Sequence, residues 1–298
     1  MIRPATLALA ALFPAGAIAQ GADAVPRLAV VSAFQPEIDA LLGALDGGEE
    51  QVIAGTTYRT GRLEGREVVV FLSGISMVNA AMTVQAAIDH FAVEGIVFSG
   101  IAGGVDPSLS IGDVVVAERW GQYLDVIAAR ETADGFAIPP WMASDFTPFG
   151  MFHTRNQTVA RGGAEPETRF WFPADPGYLE VARTVAGAVT LEECGAEGAC
   201  LTEAPEIVVG GSGVSGSAFV DNADLRDWAF GTFEARVLDM ESAAVAQVAY
   251  ANGVPFVAFR SLSDLAGGGE GANEMMTFLG LAAGNSAAVV RAFVAGLE

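Results

Sequence analysis

The chain is poor in the residues that metal, redox and histidine chemistry draw on. Of its 298 residues only two are cysteines and two are histidines. Cys194 and Cys200 stand close together in ECGAEGAC, while His90 and His153 are far apart, so no zinc-ligand spacing is present. No motif calls for a cofactor, and general-base catalysis by histidine is badly supplied. Positive charge is scarce as well. Fifteen basic side chains face 36 acidic ones, a formal net charge of −21. That balance argues against DNA, RNA and anionic membranes as partners, and against a polyphosphate ligand. A neutral or cationic small molecule is expected instead. Beyond the N-terminus no stretch approaches the roughly 18 uninterrupted apolar residues of a membrane span, so the mature protein is expected to be soluble.

The N-terminus differs from the rest. Arg3 precedes an apolar segment, ATLALAALFPAGAIA, that is short and broken by Pro14 and Gly16. Ala17-Ile18-Ala19 and Ala22-Asp23-Ala24 both fit the small-residue cleavage pattern, so residues 1–24 read as a secretory signal peptide. Export follows, and the Ala-rich composition points to a bacterial periplasm. In an exported chain Cys194 and Cys200 are expected to close a small disulfide loop, with two free thiols as the alternative. Residues 25–298 suffice for one α/β domain, and no low-complexity linker divides them.

Two features organise that domain: carboxylates at the ends of apolar strands, and glycine-rich stretches beside them. RLAVVSA (27–33) reads as a strand leading into QPEIDALLGAL, where Pro36 suits a first helical turn and puts Glu37 at the helix start. Residues 57–63 and 67–72 read as a hairpin turning at Glu64-Gly65, followed by a helix in MVNAAMTVQAAIDHF. GIVFS (95–99) is a buried strand, and the glycines of GIAGG (100–104) directly after it let the backbone approach a ligand closely or take φ > 0, with a plain tight turn the alternative. Residues 111–117 form another strand. Asp239 to Ala251 reads as an Ala-rich helix ended by Asn252-Gly253, with Glu241 in its first turn. Pro255 to Leu262 is a strand buried on both faces, and Asp264 lies just past it. In a parallel α/β layer the helix start and the end of the next strand meet at one edge, so Glu241 and Asp264 are expected to face one crevice. A closing helix covers 277–297.

Two stretches are read more cautiously. Residues 120–175 hold three of the four tryptophans with little periodicity; a long packed excursion is ranked above a substrate lid or a dimer contact. Gly211-Ser212-Gly213-Val214-Ser215-Gly216 matches G-x-G-x-x-G in form but lacks the βαβ setting of a dinucleotide site. A bend that delivers Phe219 to a pocket is preferred to a cofactor loop, but on these residues alone Phe219 as plain core filler ranks above it. The architecture expected is a three-layer αβα sandwich around a central mixed sheet.

Taken together, VVSAFQPEIDALL, LSGISMVNAAM, FSGIAGGVDPSLSIGDVVV, VSGSAFVDN and LDMESAAVAQVAYANGVPFVAFRSLSD resemble the purine nucleoside phosphorylase and nucleosidase superfamily. Within it the chain is most like the methylthioadenosine/S-adenosylhomocysteine nucleosidases. The resemblance spans about 27–117 and 208–295. It implies a homodimer that binds a purine nucleoside, with Asp264 protonating the leaving base and Ser263 beside it. It implies further that Glu241 and Met240 contact the ribose hydroxyls, that Phe219 stacks on the base with Val220 giving main-chain contacts, and that Glu37 activates water. Ala102 and Gly103 would line the pocket, and Arg260 would lie near Glu37. Ile101 stands where these nucleosidases carry Ser or Thr, and Phe34 where they carry Met. The signal peptide and the 120–175 insert look more like secreted branches, which include plant storage proteins.

The chemistry agrees with the residues. Cleaving an N-glycosidic bond builds positive charge on the sugar and negative charge on the base, so an acid and nearby anions are needed. AFQPE after the first strand offers Glu37 and no arginine for phosphate, which favours hydrolysis of 5′-substituted adenosines. A phosphorylase and a non-catalytic nucleoside-binding or storage protein are the alternatives.

Overall fold

In the computed structural model the described residues are 23–297, apart from Glu197 and Glu270. The leader therefore lies outside them, except that Asp23 and Ala24 open the first strand. In chain order the first elements are β1 (Asp23–Ser32), α1 (Gln35–Gly43), β2 (Glu50–Ile53), β3 (Thr56–Leu63), β4 (Arg66–Leu72), α2 (Met77–His90), β5 (Phe91–Gly104) and β6 (Val114–Val116). Eight short strands follow: β7 (Arg119–Gln122), β8 (Val126–Ala128), β9 (Arg130–Thr132), β10 (Gly135–Ala137), β11 (Phe152–Thr154), β12 (Gln157–Val159), β13 (Glu167–Arg169) and β14 (Trp171–Pro173). The chain ends with α3 (Pro176–Ala186), β15 (Ile207–Val209), β16 (Ser212–Ser215), α4 (Ala223–Phe233), β17 (Ala235–Asp239), α5 (Ser242–Asn252), β18 (Phe256–Asp264) and α6 (Met275–Gly296).

A mixed sheet runs β14-β7-β16-β17-β5-β1-β4-β3-β2, with β18 paired to β5 and β6, and β15 paired to β6. The inner strands β1, β4, β5 and β18 each carry a continuous apolar run because both faces are covered there. Along β1, Ala29 and Val31 enter one core and Leu28 and Val30 the other; on β18, Phe256 and Ala258 alternate with Val257 and Phe259 in the same way. Helices α2 and α5 pack together on the first face, and α1, α3 and α6 on the second. This is the three-layer αβα sandwich with a mixed sheet that the sequence implied. Helix α6 is long and apolar enough to cross a membrane by composition, but most of it is buried as a core helix.

Three expectations need correction. GIAGG is no turn: β5 continues through Gly104, pairing in parallel with β18 up to Gly103 and antiparallel with β17 at Gly103 and Gly104. Glycine is required there for close approach rather than for a turn. A Cβ on Gly100 would sit 2.3 Å from Arg260 Nη1 and 2.6 Å from Glu37 Oε1. Second, β17 runs against β5 while β18 runs with it, so helix α5 does not join two parallel neighbours. The ends of β17 and β18 nevertheless meet at the last residues of β5. Third, Asp239 closes β17 instead of opening α5, and Glu241 is the residue before the first helical one.

The aromatic middle is partly sheet. β7 and β14 join the main sheet, where Trp120 packs over Gly213; a Cβ on that glycine would lie 2.5 Å from the indole. Between them are β8 paired with β11 and the hairpins β9–β10 and β12–β13. Phe146 and Phe170 pack on Phe233 and hold this excursion to the body. The G-x-G-x-x-G run lies in β16, an interior strand, which is incompatible with a phosphate-cradling turn. Cys194 and Cys200 are joined in a disulfide with their Cα atoms 4.0 Å apart.

Candidate active site

Where β1, β5, β17 and β18 end, a cavity of about 360 Å³ opens. Glu37, Glu241 and Asp264 line it with Met240, Phe219, Val220, Ser263, Ala102 and Gly103. Ile75, Ile101, Phe34 and Met275 add to walls that are mostly apolar. Nothing from residues 120–175 reaches it, so that excursion does not act as a lid over this cavity.

Each carboxylate is placed by a local rule. Glu37 is in the first turn of α1, and its side chain folds back to the free N–H groups of that helix start. Oε2 accepts from Ala33 N (2.7 Å) and Phe34 N (3.3 Å), and Oε1 accepts from Ile101 N (2.8 Å). Burial pushes Glu37 up from the ordinary carboxylate value, while the Arg260 charge and these three N–H donors pull it down. Only donors approach it, which suits an anion that can take a proton. Asp239 caps α5: its Oδ1 accepts the N–H groups of Glu241 and Ser242 (both 3.1 Å) and the hydroxyl of Ser215. Glu241 follows at once, so the same turn throws its side chain into the cavity. Its Oε1 accepts from Ser76 N at 2.7 Å.

Arg260 lies behind the wall rather than in it. Its side chain is fully buried and stacks 4.1 Å over the Phe98 ring. Nε is 2.8 Å from Asp239 Oδ2, Nη2 is 3.5 Å from Glu241 Oε2, and Nη1 is 3.8 Å from Glu37 Oε1. Nη1 also donates to Ile101 O (3.2 Å) and Nε to Ser242 Oγ (3.0 Å). Three buried carboxylates thus share one guanidinium. Burial, opposed by Arg260 and reinforced by Asp239 and Glu37, pushes Glu241 up to about 7.

Asp264 has a different setting. Oδ1 accepts from Ala266 N (2.8 Å) and Asn273 Nδ2 (3.3 Å), and Oδ2 from Ser263 Oγ (2.9 Å). Among the described residues no cation pairs with it. Burial raises it above the usual aspartate range, with the Asp221 charge adding to the rise. A carboxyl that keeps its proton to higher pH than usual is suited to donating one.

Ile101 costs the site a side-chain hydroxyl but not its backbone. That residue's N–H and C=O serve Glu37 and Arg260 directly. The residues that sequence reasoning missed are Asp239, Ser76, Ile75, Met275 and Asn273. Asp239 carried a readable signal, since an Asp two residues before Ser-Ala-Ala is an N-cap pattern. Among the described residues no group of three or more His, Cys, Asp or Glu side chains is arranged to hold a metal ion.

The sequence profile of the phosphorylase superfamily matches residues 27–295. The chain is 32% identical over 265 residues to a 5′-methylthioadenosine/S-adenosylhomocysteine nucleosidase of Geobacillus kaustophilus, covering 89% of this chain and 94% of that one. Its fold is similar to that of the 5′-methylthioadenosine/S-adenosylhomocysteine nucleosidase of S. pneumoniae solved with a transition-state inhibitor. The TM-score is 0.66 at 26% identity, over 91% of this chain and 100% of that one. It is equally similar to futalosine hydrolase of Helicobacter pylori, with TM-score 0.69, 25% identity and coverage of 92% and 99%. The chain belongs to the phosphorylase superfamily. In class it is an N-glycosyl hydrolase like the nucleosidases it resembles.

Proposed function

We propose that this protein is an exported hydrolase that cleaves the N-glycosidic bond of purine nucleosides carrying a 5′ substituent, 5′-methylthioadenosine being the type substrate. One observation carries the choice of water over phosphate. Among the described residues the one guanidinium at the site is buried behind three carboxylates and is engaged by them together with Ile101 O and Ser242 Oγ. A phosphate entering this cavity would meet carboxylates and no free cation, and would be repelled.

The roles follow from the two settings. Asp264, in its protonated form, gives its proton to the departing base near N7, so the C–N bond breaks without leaving a purine anion. Phe219 stacks on that base and Val220 offers main-chain contacts. Glu241 and Met240 hold the ribose hydroxyls, and the negative charge shared among Glu37, Asp239 and Glu241 favours the oxocarbenium-like sugar. Glu37 takes a proton from water as its oxygen bonds to the anomeric carbon. Free base and free sugar result; solvent then returns a proton to Asp264 and takes up the one that Glu37 gained. The apolar walls from Phe34, Ile75, Ile101 and Met275 suit a sulfur- or carbon-bearing 5′ group better than a bare hydroxyl.

Incubating the mature protein with adenosine, inosine, 5′-methylthioadenosine, S-adenosylhomocysteine and futalosine, with and without phosphate, tests the reading. Base release from the 5′-substituted adenosines at a rate indifferent to phosphate is expected. A strict requirement for phosphate would make the protein a phosphorylase, and thermal stabilisation by ligand with no base released would make it a binding protein.

Export to the periplasm and a homodimer complete the proposal. Val78 (78% exposed) and Met82 (53%) stand on α2 beside an apolar hollow that α5 also lines, a face a second copy would cover. Light scattering of the purified protein should give twice the chain mass. Of the two cleavage patterns, the one ending at Ala19 spares β1, in which Asp23 accepts Arg27 Nε at 2.7 Å. Intact mass of the secreted protein should therefore start at Gln20.

A further inference from the structure

Asn273 has no task in the mechanism above, yet its side chain ties three parts of the site together. Nδ2 donates to Asp264 Oδ1 (3.3 Å) and to Asp221 Oδ1 (3.2 Å), and Oδ1 accepts the N–H of Met275 (2.9 Å) at the start of α6. That last bond fixes the sense of the amide: its oxygen is held by an N–H, so its nitrogen must face the two carboxylates. Asp264 Oδ1 also receives the N–H of Ala266. With two N–H donors aimed at it, Oδ1 acts as an acceptor in either protonation state. A proton on Asp264 is thereby confined to Oδ2, the oxygen beside Ser263 Oγ.

The surroundings give this bond a further meaning. Asp264 forms part of the wall of two cavities: the larger one described above, and a polar one of about 220 Å³ on the side of the glycine-rich loop. Asp221, Asn273 and Glu274 line the second with Gly267, Gly269 and Gly271. The charged groups around Asp264 are thus Asp221, from the segment before α4, and Glu274, from the start of α6. Across the larger cavity stand Glu37, Asp239 and Glu241 with Arg260 among them. Arg226 of α4 packs against Gly268, with its Nε donating to Gly104 O (3.1 Å).

We propose that Asn273 is a positioning residue for the reaction: it fixes the Asp264 carboxyl so that the transferable proton sits on Oδ2, and it holds Asp221 where that negative charge keeps the proton in place. The inference rests on the reading of Asp264 as the acid. The two partners act in opposite directions on Asp264, since the amide bond favours the anion and the Asp221 charge disfavours it.

The test compares three variants by kcat, KM and the pH profile of base release from 5′-methylthioadenosine. Asp264→Asn should abolish turnover. Asn273→Ala should lower kcat about tenfold with KM nearly unchanged, because the reacting proton is no longer held in one place. It should also move the alkaline limb of the kcat profile to higher pH. Asp221→Asn should move the same limb to lower pH, and added salt should shrink that displacement because Asp221 is exposed. A merely structural role for Asn273 would not shift the two limbs oppositely. Turnover by Asp264→Asn would sink the assignment of the acid itself. An inactive Asp264→Asn together with wild-type limbs in the other two would overturn the present inference and leave the acid standing. If Asn273→Ala fails to fold, Asp221→Asn alone decides, since an unmoved limb at low salt contradicts the proposal.

Discussion

Two sets of buried carboxylates face each other across one cavity, and they are compensated in opposite ways. Glu37, Asp239 and Glu241 have a guanidinium among them, so the group as a whole can carry negative charge at low cost. Asp264, equally buried, has hydrogen-bond donors and, among the described residues, no cation, and burial raises it above the usual aspartate range. The same side-chain chemistry thus yields an anionic group and a lone acid around one cavity, carried there by different elements. What separates them is where Arg260 points. From β18 its guanidinium reaches Asp239, Glu241 and Glu37, at 2.8, 3.5 and 3.8 Å, and not Asp264.

The most severe way to break this contrast is to remove the lone acid. Asp264→Asn keeps size and hydrogen bonding but has no proton of suitable acidity. Base release should fall about 10³-fold, within the 10²–10⁴ range for general acids. The melting temperature should stay near wild type, because the amide keeps the size of the carboxyl and its oxygen can still accept from Ala266 N and Asn273 Nδ2. Near-native turnover would show that the base leaves without help from this residue.

The converse change strips the anionic group of its counterion. Arg260→Met leaves three carboxylates of 1–5% exposure without a cation. A loss of about 3–5 kcal/mol in urea unfolding at neutral pH is expected, as for other broken buried pairs. The deficit should shrink as the pH falls and the acids take up protons. A loss below about 1 kcal/mol, in the range of surface pairs, would mean that water reaches the cluster.

Much of this contrast was legible from the chain because Glu37 and Asp264 each follow an apolar strand-length run, such runs end at the ligand edge of a covered sheet, and Glu241 stands where an Ala-rich helix starts. Their neighbours were harder to read. Asp239 sits at a strand-to-helix joint where D-M-E-S fits either element, and only the register of β17 decides. GIAGG looks like a turn because glycine usually breaks strands; here it leaves room for Arg260 and Glu37, a requirement set by residues distant in sequence. The strands of the middle segment are three or four residues long and too short to show a period, while β2 is almost wholly exposed and carries no apolar pattern. Asn273 lies in a glycine-rich loop, and nothing local marks it as a partner of Asp264.

Glu241 offers a finer test through pH. Its folded value of about 7 exceeds the ordinary 4.5, so between those limits the folded chain binds more protons than the unfolded one. Stability must then fall as pH rises from about 4.5 to 7, and level off above, by on the order of 3 kcal/mol. The stability difference between wild type and Glu241→Gln, followed by urea unfolding across that window, should carry the slope. If the variant shows the same fall, the proton belongs to Glu37 or to the group as a whole.

Ser76 gives the smallest effect and joins the anionic wall to the loop of Phe219. It is a non-glycine residue at φ +81°, ψ 157°, a region that glycine occupies almost alone. Its backbone holds the N–H on Glu241, and its hydroxyl donates to Ser217 Oγ at 2.8 Å. Ser76→Gly should relieve the backbone strain, at some cost in unfolded-state entropy, for a net gain of about 0.5–1 kcal/mol. Glu241 would keep its donor, so its contribution to the pH slope should persist. The link to Ser217 would be cut, and KM should rise a few-fold if that link steadies Phe219 against the base. A destabilised Ser76→Gly would show that the hydroxyl bridge outweighs the strain, making the wall a clasped structure instead of a tensioned one.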